Sequence, residues 1–64
     1  GAGRNSNKEF KQFLSYAYGS CSELETQLII SKNLGFLNPD SLSTLSDSIN
    51  EIQKMIYSLS SSLN

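Results

Sequence analysis

Two apolar seams dominate this chain. Phe10, Leu14, Ala17, Cys21, Leu24 and Leu28 recur at alternating steps of four and three. Leu42, Leu45, Ile49, Ile52, Ile56, Leu59 and Leu63 repeat the rhythm, starting on three. A stripe of that period runs along one side of an α-helix, whereas a half-buried strand alternates at every second residue. The spacing is that of heptads, which pack helix against helix. The fold class it predicts is all-α.

The ends of the helices carry their own chemistry. Ser6-Asn7-Lys8-Glu9 has the capping-box spacing, in which serine and glutamate each satisfy the other's backbone amide. Gly35 falls where the first seam runs out, and glycine takes the left-handed conformation after a helix at little cost. Asn38-Pro39-Asp40 then reads as N-cap, first-turn proline, and an acid facing the positive end of the helix dipole. The expected helices cover about 7–34 and 39–62, with a corner at 35–38. So short a connection makes them antiparallel neighbours. The whole of 1–64 reads as a single helical hairpin.

A hairpin alone leaves oily surface uncovered. Beside its seam the first helix carries a second stripe of Phe13, Tyr16, Ile30 and Leu34, interrupted by Ser20, Glu23 and Gln27. A helix apolar on two faces packs between neighbours. Chains near this length bury only ~60% of the surface their unfolded form exposes, so a lone core is marginal. Disulfides, metals or other chains are the usual remedies. With one cysteine and no histidine, the first two are closed to it. More helices are needed, from an N-terminal part upstream or from other copies of the chain. Gly19 and Ser20 beside Ala17 add small side chains where another backbone can come close. The expected oligomer interface comprises Phe10, Phe13, Leu14, Tyr16, Ala17, Gly19, Ser20, Leu24, Leu28, Ile30, Ile49, Ile52 and Ile56. Phe36 and Leu37 are expected to close the corner end of the core, as apolar residues beside a helix C-cap do.

Charge and composition narrow the functional classes. The formal net charge is −1, so no strong field draws the chain to nucleic acid or membrane. Its longest apolar run, Leu28-Ile29-Ile30, is far short of the ~20 residues that span a bilayer. An unpaired cysteine on a helix seam suits a reducing compartment, so the expected location is the cytoplasm. Without histidine the commonest general base is missing. Glu23 and Glu25 stand two apart on a helix and point different ways. Asp40 and Asp47 share a face, but two aspartates alone are a poor metal site. Neither a phosphate-binding glycine loop nor a calcium loop occurs. The expectation is no catalytic or metal-binding residues, no cofactor, no membrane and no small-molecule substrate. Cys21 reads as a small buried hydrophobe, with no cation within a turn to activate its thiol. One basic cluster stands out: Arg4, Lys8 and Lys11 are candidate RNA contacts, or else a solvated face.

The residues also carry a family resemblance. Gly3-Arg4, Lys8-Glu9-Phe10, Phe13-Leu14, Tyr16-Ala17, Gly19-Ser20, Glu23-Leu24-Glu25-Thr26-Gln27-Leu28 and the Leu34-Gly35-Phe36 corner follow one another in register. So do Ile52, Lys54-Met55-Ile56 and Leu59 near the end. This pattern resembles the four-helix-bundle proteins encoded in intervening sequences of 23S rRNA genes. Tyr18 stands where many members carry a smaller aliphatic residue. The resemblance implies that a complete member holds two further helices upstream, and that this chain corresponds to the C-terminal half. It further implies homo-oligomers, since relatives form homopentameric barrels, so the fold it implies is half of a four-helix bundle, completed by oligomerisation. One branch supplies an accessory subunit to a retroelement reverse transcriptase, which makes RNA or a ribonucleoprotein the other expected partner.

Overall fold

The computed structural model describes residues 2–63, with side chains from residue 6 onward. Helix α1 spans Ala2–Asn33 and helix α2 spans Pro39–Ser61, packed as an antiparallel hairpin. Among the described residues there is no strand. At ~1.5 Å per residue, the 32 residues of α1 reach about 48 Å and account for most of the 52 Å long axis.

The corner follows the expected chemistry. Gly35 adopts φ +86°, a conformation open to glycine and strained for residues with a Cβ. Its amide donates to the carbonyl of Lys32 at 3.0 Å, and the amide of Phe36 donates to that of Ser31 at 2.9 Å. These paired bonds form a Schellman motif and satisfy two carbonyls that the ending helix would orphan. Asn38 then caps α2, its Oδ1 accepting from the amide of Ser41 at 2.7 Å, with Pro39 in the first turn.

Two expectations about the ends need correction. The first helix begins at Ala2 rather than near residue 7. Ser6 is therefore a helical residue, and the Ser6–Glu9 capping box has no helix start to cap. A continuing helix supplies those amides with carbonyls four residues upstream, so the cap has no vacancy to fill. Phe36 does not close the core either, being 82% exposed. The residue it would lean on in a Schellman corner is Ser31, whose hydroxyl instead donates to the carbonyl of Gln27 at 2.9 Å. Leu37 is half-buried at the corner.

The seams pack in a way their period did not reveal. In α1 the residues turned toward α2 are Leu14 (9% exposed), Cys21 and Leu28, one heptad apart. In α2 they are Leu42, Ile49 (5% exposed), Ile56 and Leu63. The other half of each seam does not close onto the neighbouring helix. Phe10, Leu24, Leu45, Ile52 and Leu59 stay 40–47% exposed, and Ala17 is exposed with them. Only Leu14 and Ile49 form a buried apolar core among the described residues.

A polar cross-brace sets the register. Gln53 Nε2 donates to the backbone carbonyl of Tyr18 at 3.1 Å and to Ser22 Oγ at 2.9 Å. Residue 53 thus lies level with residues 18–22, which puts Ser61 level with about residue 12 at helical rise. Nearly three turns of α1 extend past the end of α2.

Candidate functional site

The hairpin has two unlike sides, and their geometry follows from ~100° of rotation per residue. On each helix the position three after an inward residue falls to one side, and the position four after it falls to the other. Because the helices are antiparallel, the matching sides of both open on the same face. One face receives Phe10, Ala17 and Leu24 from α1, with Leu45, Ile52 and Leu59 from α2. The other receives Tyr18, Glu25, Ser46, Gln53 and Ser60.

The first face is broad and apolar. Phe13, Ser20 and Leu34 widen it on α1, Met55 widens it on α2, and Tyr16 and Ile30 lie at its α1 edge. All of these are exposed. Taking roughly 180 Å² for a fully exposed large apolar side chain, the face offers on the order of 800 Å² of hydrocarbon surface. The largest apolar patch on a typical monomer is about 300–600 Å², so this one exceeds the ordinary surface.

The second face is polar. Its centre is the Gln53 brace, and beside it lies an open cleft of about 540 Å³ lined by Tyr18, Asn50, Gln53, Lys54, Tyr57 and Ser58. Ile29 is exposed toward this side. Gln53 and Ser22 were not legible as partners from heptads, which count apolar positions. A signal was nonetheless present: Ser46, Gln53 and Ser60 form a polar line of their own, each four residues after an inward leucine or isoleucine.

The expected interface residues divide among three places. Phe10, Phe13, Ala17, Ser20, Leu24 and Ile52 share the apolar face, with Tyr16 and Ile30 at its edge. Leu14, Leu28, Ile49 and Ile56 lie between the two helices. Gly19 is on the far side of α1 from Ala17, and a Cβ built there meets nothing within 4 Å. Lys8 and Lys11 are exposed near and beyond the level where α2 ends, while the side chain of Arg4 lies outside the described residues. Cys21 is a half-buried free thiol. Among the described residues no group of three or more His, Cys, Asp or Glu could hold a metal ion. No helix described is long and apolar enough to cross a membrane.

These features define a class: an all-helical hairpin whose sides are divided into a polar and an uncovered apolar surface. A family model for the 23S rRNA-intervening sequence protein matches residues 1–58 of the 64. The chain belongs to that family. No curated protein and no solved structure matches it.

Proposed function

We propose that this chain is a non-enzymatic assembly module, which completes a helical bundle by docking its apolar face on further copies of itself. The observation that carries this reading is the face itself. Its roughly 800 Å² equals what each partner contributes to a stable interface of standard size. Burial at about 25 cal/mol per Å² makes covering it strongly favourable, although part of that gain is spent on association. The residue types agree, since without histidine the chemistry on offer is packing rather than proton transfer. The half-buried thiol of Cys21 supports a reducing compartment, and the cytoplasm is the location that goes with this reading.

Sedimentation equilibrium across a hundredfold range of concentration tests the reading. The expected species is a multiple of 7.1 kDa that dissociates on dilution. A cooperatively melting monomer at every concentration would overturn it.

A second reading is binding to RNA or a ribonucleoprotein through Lys8 and Lys11. It is favoured by their exposure one turn apart near the projecting end of α1, since each copy in an assembly would repeat the pair. Binding to structured RNA at two salt concentrations separates a phosphate contact from a solvated face. Loss of both lysines flattens the salt dependence in the first case and leaves it unchanged in the second.

A further inference from the structure

We propose that the open cleft on the polar face binds a nucleotide, its base lying against Tyr18 and Tyr57 and its phosphate meeting Lys54. The proposal goes beyond the assembly reading and uses none of the residues of the apolar face. Further copies docked on that face leave the cleft open to solvent.

The cleft brings together three things such a ligand needs. The first is aromatic surface. Tyr18 comes from α1 and Tyr57 from α2, and both are exposed. The Gln53 brace sets Tyr57 level with about residues 14–18, so the two rings stand within about a turn of each other along the axis. Every base has a flat face that stacks on such rings.

The second is a fixed acceptor. Gln53 Nε2 spends both hydrogens on α1, at the carbonyl of Tyr18 and at Ser22 Oγ. A carbonyl only accepts, so the amide has one way round. Its Oε1 is left as an acceptor whose direction the brace sets, in a side chain that lines the cleft. A base edge carries the N–H groups that suit it. Asn50 adds a second amide, able both to donate and to accept, and Ser58 adds a hydroxyl.

The third is charge. Among the described residues that line the cleft, Lys54 is the one charged side chain, and no acid opposes it. Lysine meets a phosphate as a point charge. The cleft volume of about 540 Å³ lies within the roughly 300–1,000 Å³ of small-molecule sites. Other anions match the set less well. A phenyl phosphate has the ring and the charge but nothing to donate to Gln53, and a carboxylate has the charge without the ring.

Nuclear magnetic resonance titration of the isotope-labelled chain with adenosine 5′-monophosphate tests the assignment. Saturable shifts should centre on Tyr18, Asn50, Gln53, Lys54 and Tyr57. Stacking on an aromatic is worth a factor of roughly 5–150 in affinity, so Tyr57→Ala should weaken binding at least fivefold. Lys54→Gln should weaken it too and remove most of its salt dependence. Both side chains are exposed, and circular dichroism checks that each variant keeps its helices. Phenyl phosphate should bind at least fivefold more weakly than the nucleotide. A short oligoadenylate separates the two sources of the ligand. A strand that binds more tightly, and loses that gain with Tyr57→Ala, assigns the cleft to RNA; a strand that binds no more tightly assigns it to free nucleotides. Shifts centred on Lys8 and Lys11, equal binding of phenyl phosphate, or an affinity untouched by Tyr57→Ala would overturn the proposal. Sedimentation of the same samples reads self-assembly separately, so the cleft can fail while the assembly reading stands.

Discussion

Phe13→Ala separates a hairpin that stands alone from one that lives in a bundle. In the hairpin Phe13 is 67% exposed, so only about a third of its side chain gains from packing. A buried Phe→Ala change costs about 3–5 kcal/mol. A third of that is about 1–1.7 kcal/mol, and the better helix propensity of alanine returns roughly 0.5 of it. A solitary hairpin should therefore lose about 1 kcal/mol, whatever its concentration. If the face is covered by a second copy, the remaining two-thirds of Phe13 is buried too. The additional loss is then about 2 kcal/mol per chain, or 4 per dimer, which weakens association roughly a thousandfold. Circular dichroism melts over a range of protein concentrations read both quantities. The expected outcome is a midpoint that rises with concentration for the parent and falls sharply in the variant at micromolar chain. A small drop of the same size at every concentration would refute the argument that this face is covered.

Other substitutions probe separate parts of the molecule. Gly19→Ala should stabilise by up to about 1 kcal/mol, because a Cβ there meets open space and alanine suits a helix better; a lower melting temperature would instead mean that another backbone rests against Gly19. Gly35→Ala should destabilise by about 1–2 kcal/mol through its left-handed backbone alone, since nothing lies within 4 Å to clash. Thermal melts of Gly35→Ala and Gly35→Asn check this, with asparagine expected to fall between glycine and alanine. Removing the brace with Gln53→Ala should cost about 1 kcal/mol, the usual net worth of an internal hydrogen bond. Native-state hydrogen exchange should then speed up in the stretch around Tyr18 and Ser22, and unchanged protection would count against the brace.

Much of this fold was written in local patterns. Period and caps located both helices, because a 3.6-residue turn admits few alternatives once thirteen seam positions agree. Gly35 and Asn38 marked the corner for reasons confined to a few residues, and those are the cases in which short-range chemistry decides. The start of α1 was less legible. Ser6 and Glu9 have the spacing of a cap, but spacing cannot say whether a helix has already begun upstream. The division of each seam was also hidden. A stripe about 100° wide tells that one side of a helix is oily without telling where within that width its neighbour's axis lies. Here the neighbour sits toward one edge of the stripe, where Gln53 can reach across to Ser22, and Phe10, Leu24 and Ile52 are left facing outward. The candidate face was thus present in the sequence as an excess of apolar positions, but its outline needed the hairpin's geometry.

The hydrogen bonds of Gln53 have a further consequence. Smooth hydrocarbon ridges slide past one another at little cost, so two rods held by leucine and isoleucine alone could settle one turn out of step. An amide that finds its acceptors at a single offset works like a detent on a sliding scale. It holds the outward ridges of the two helices in one register, so that their relative heights along the hairpin are set by the chain itself.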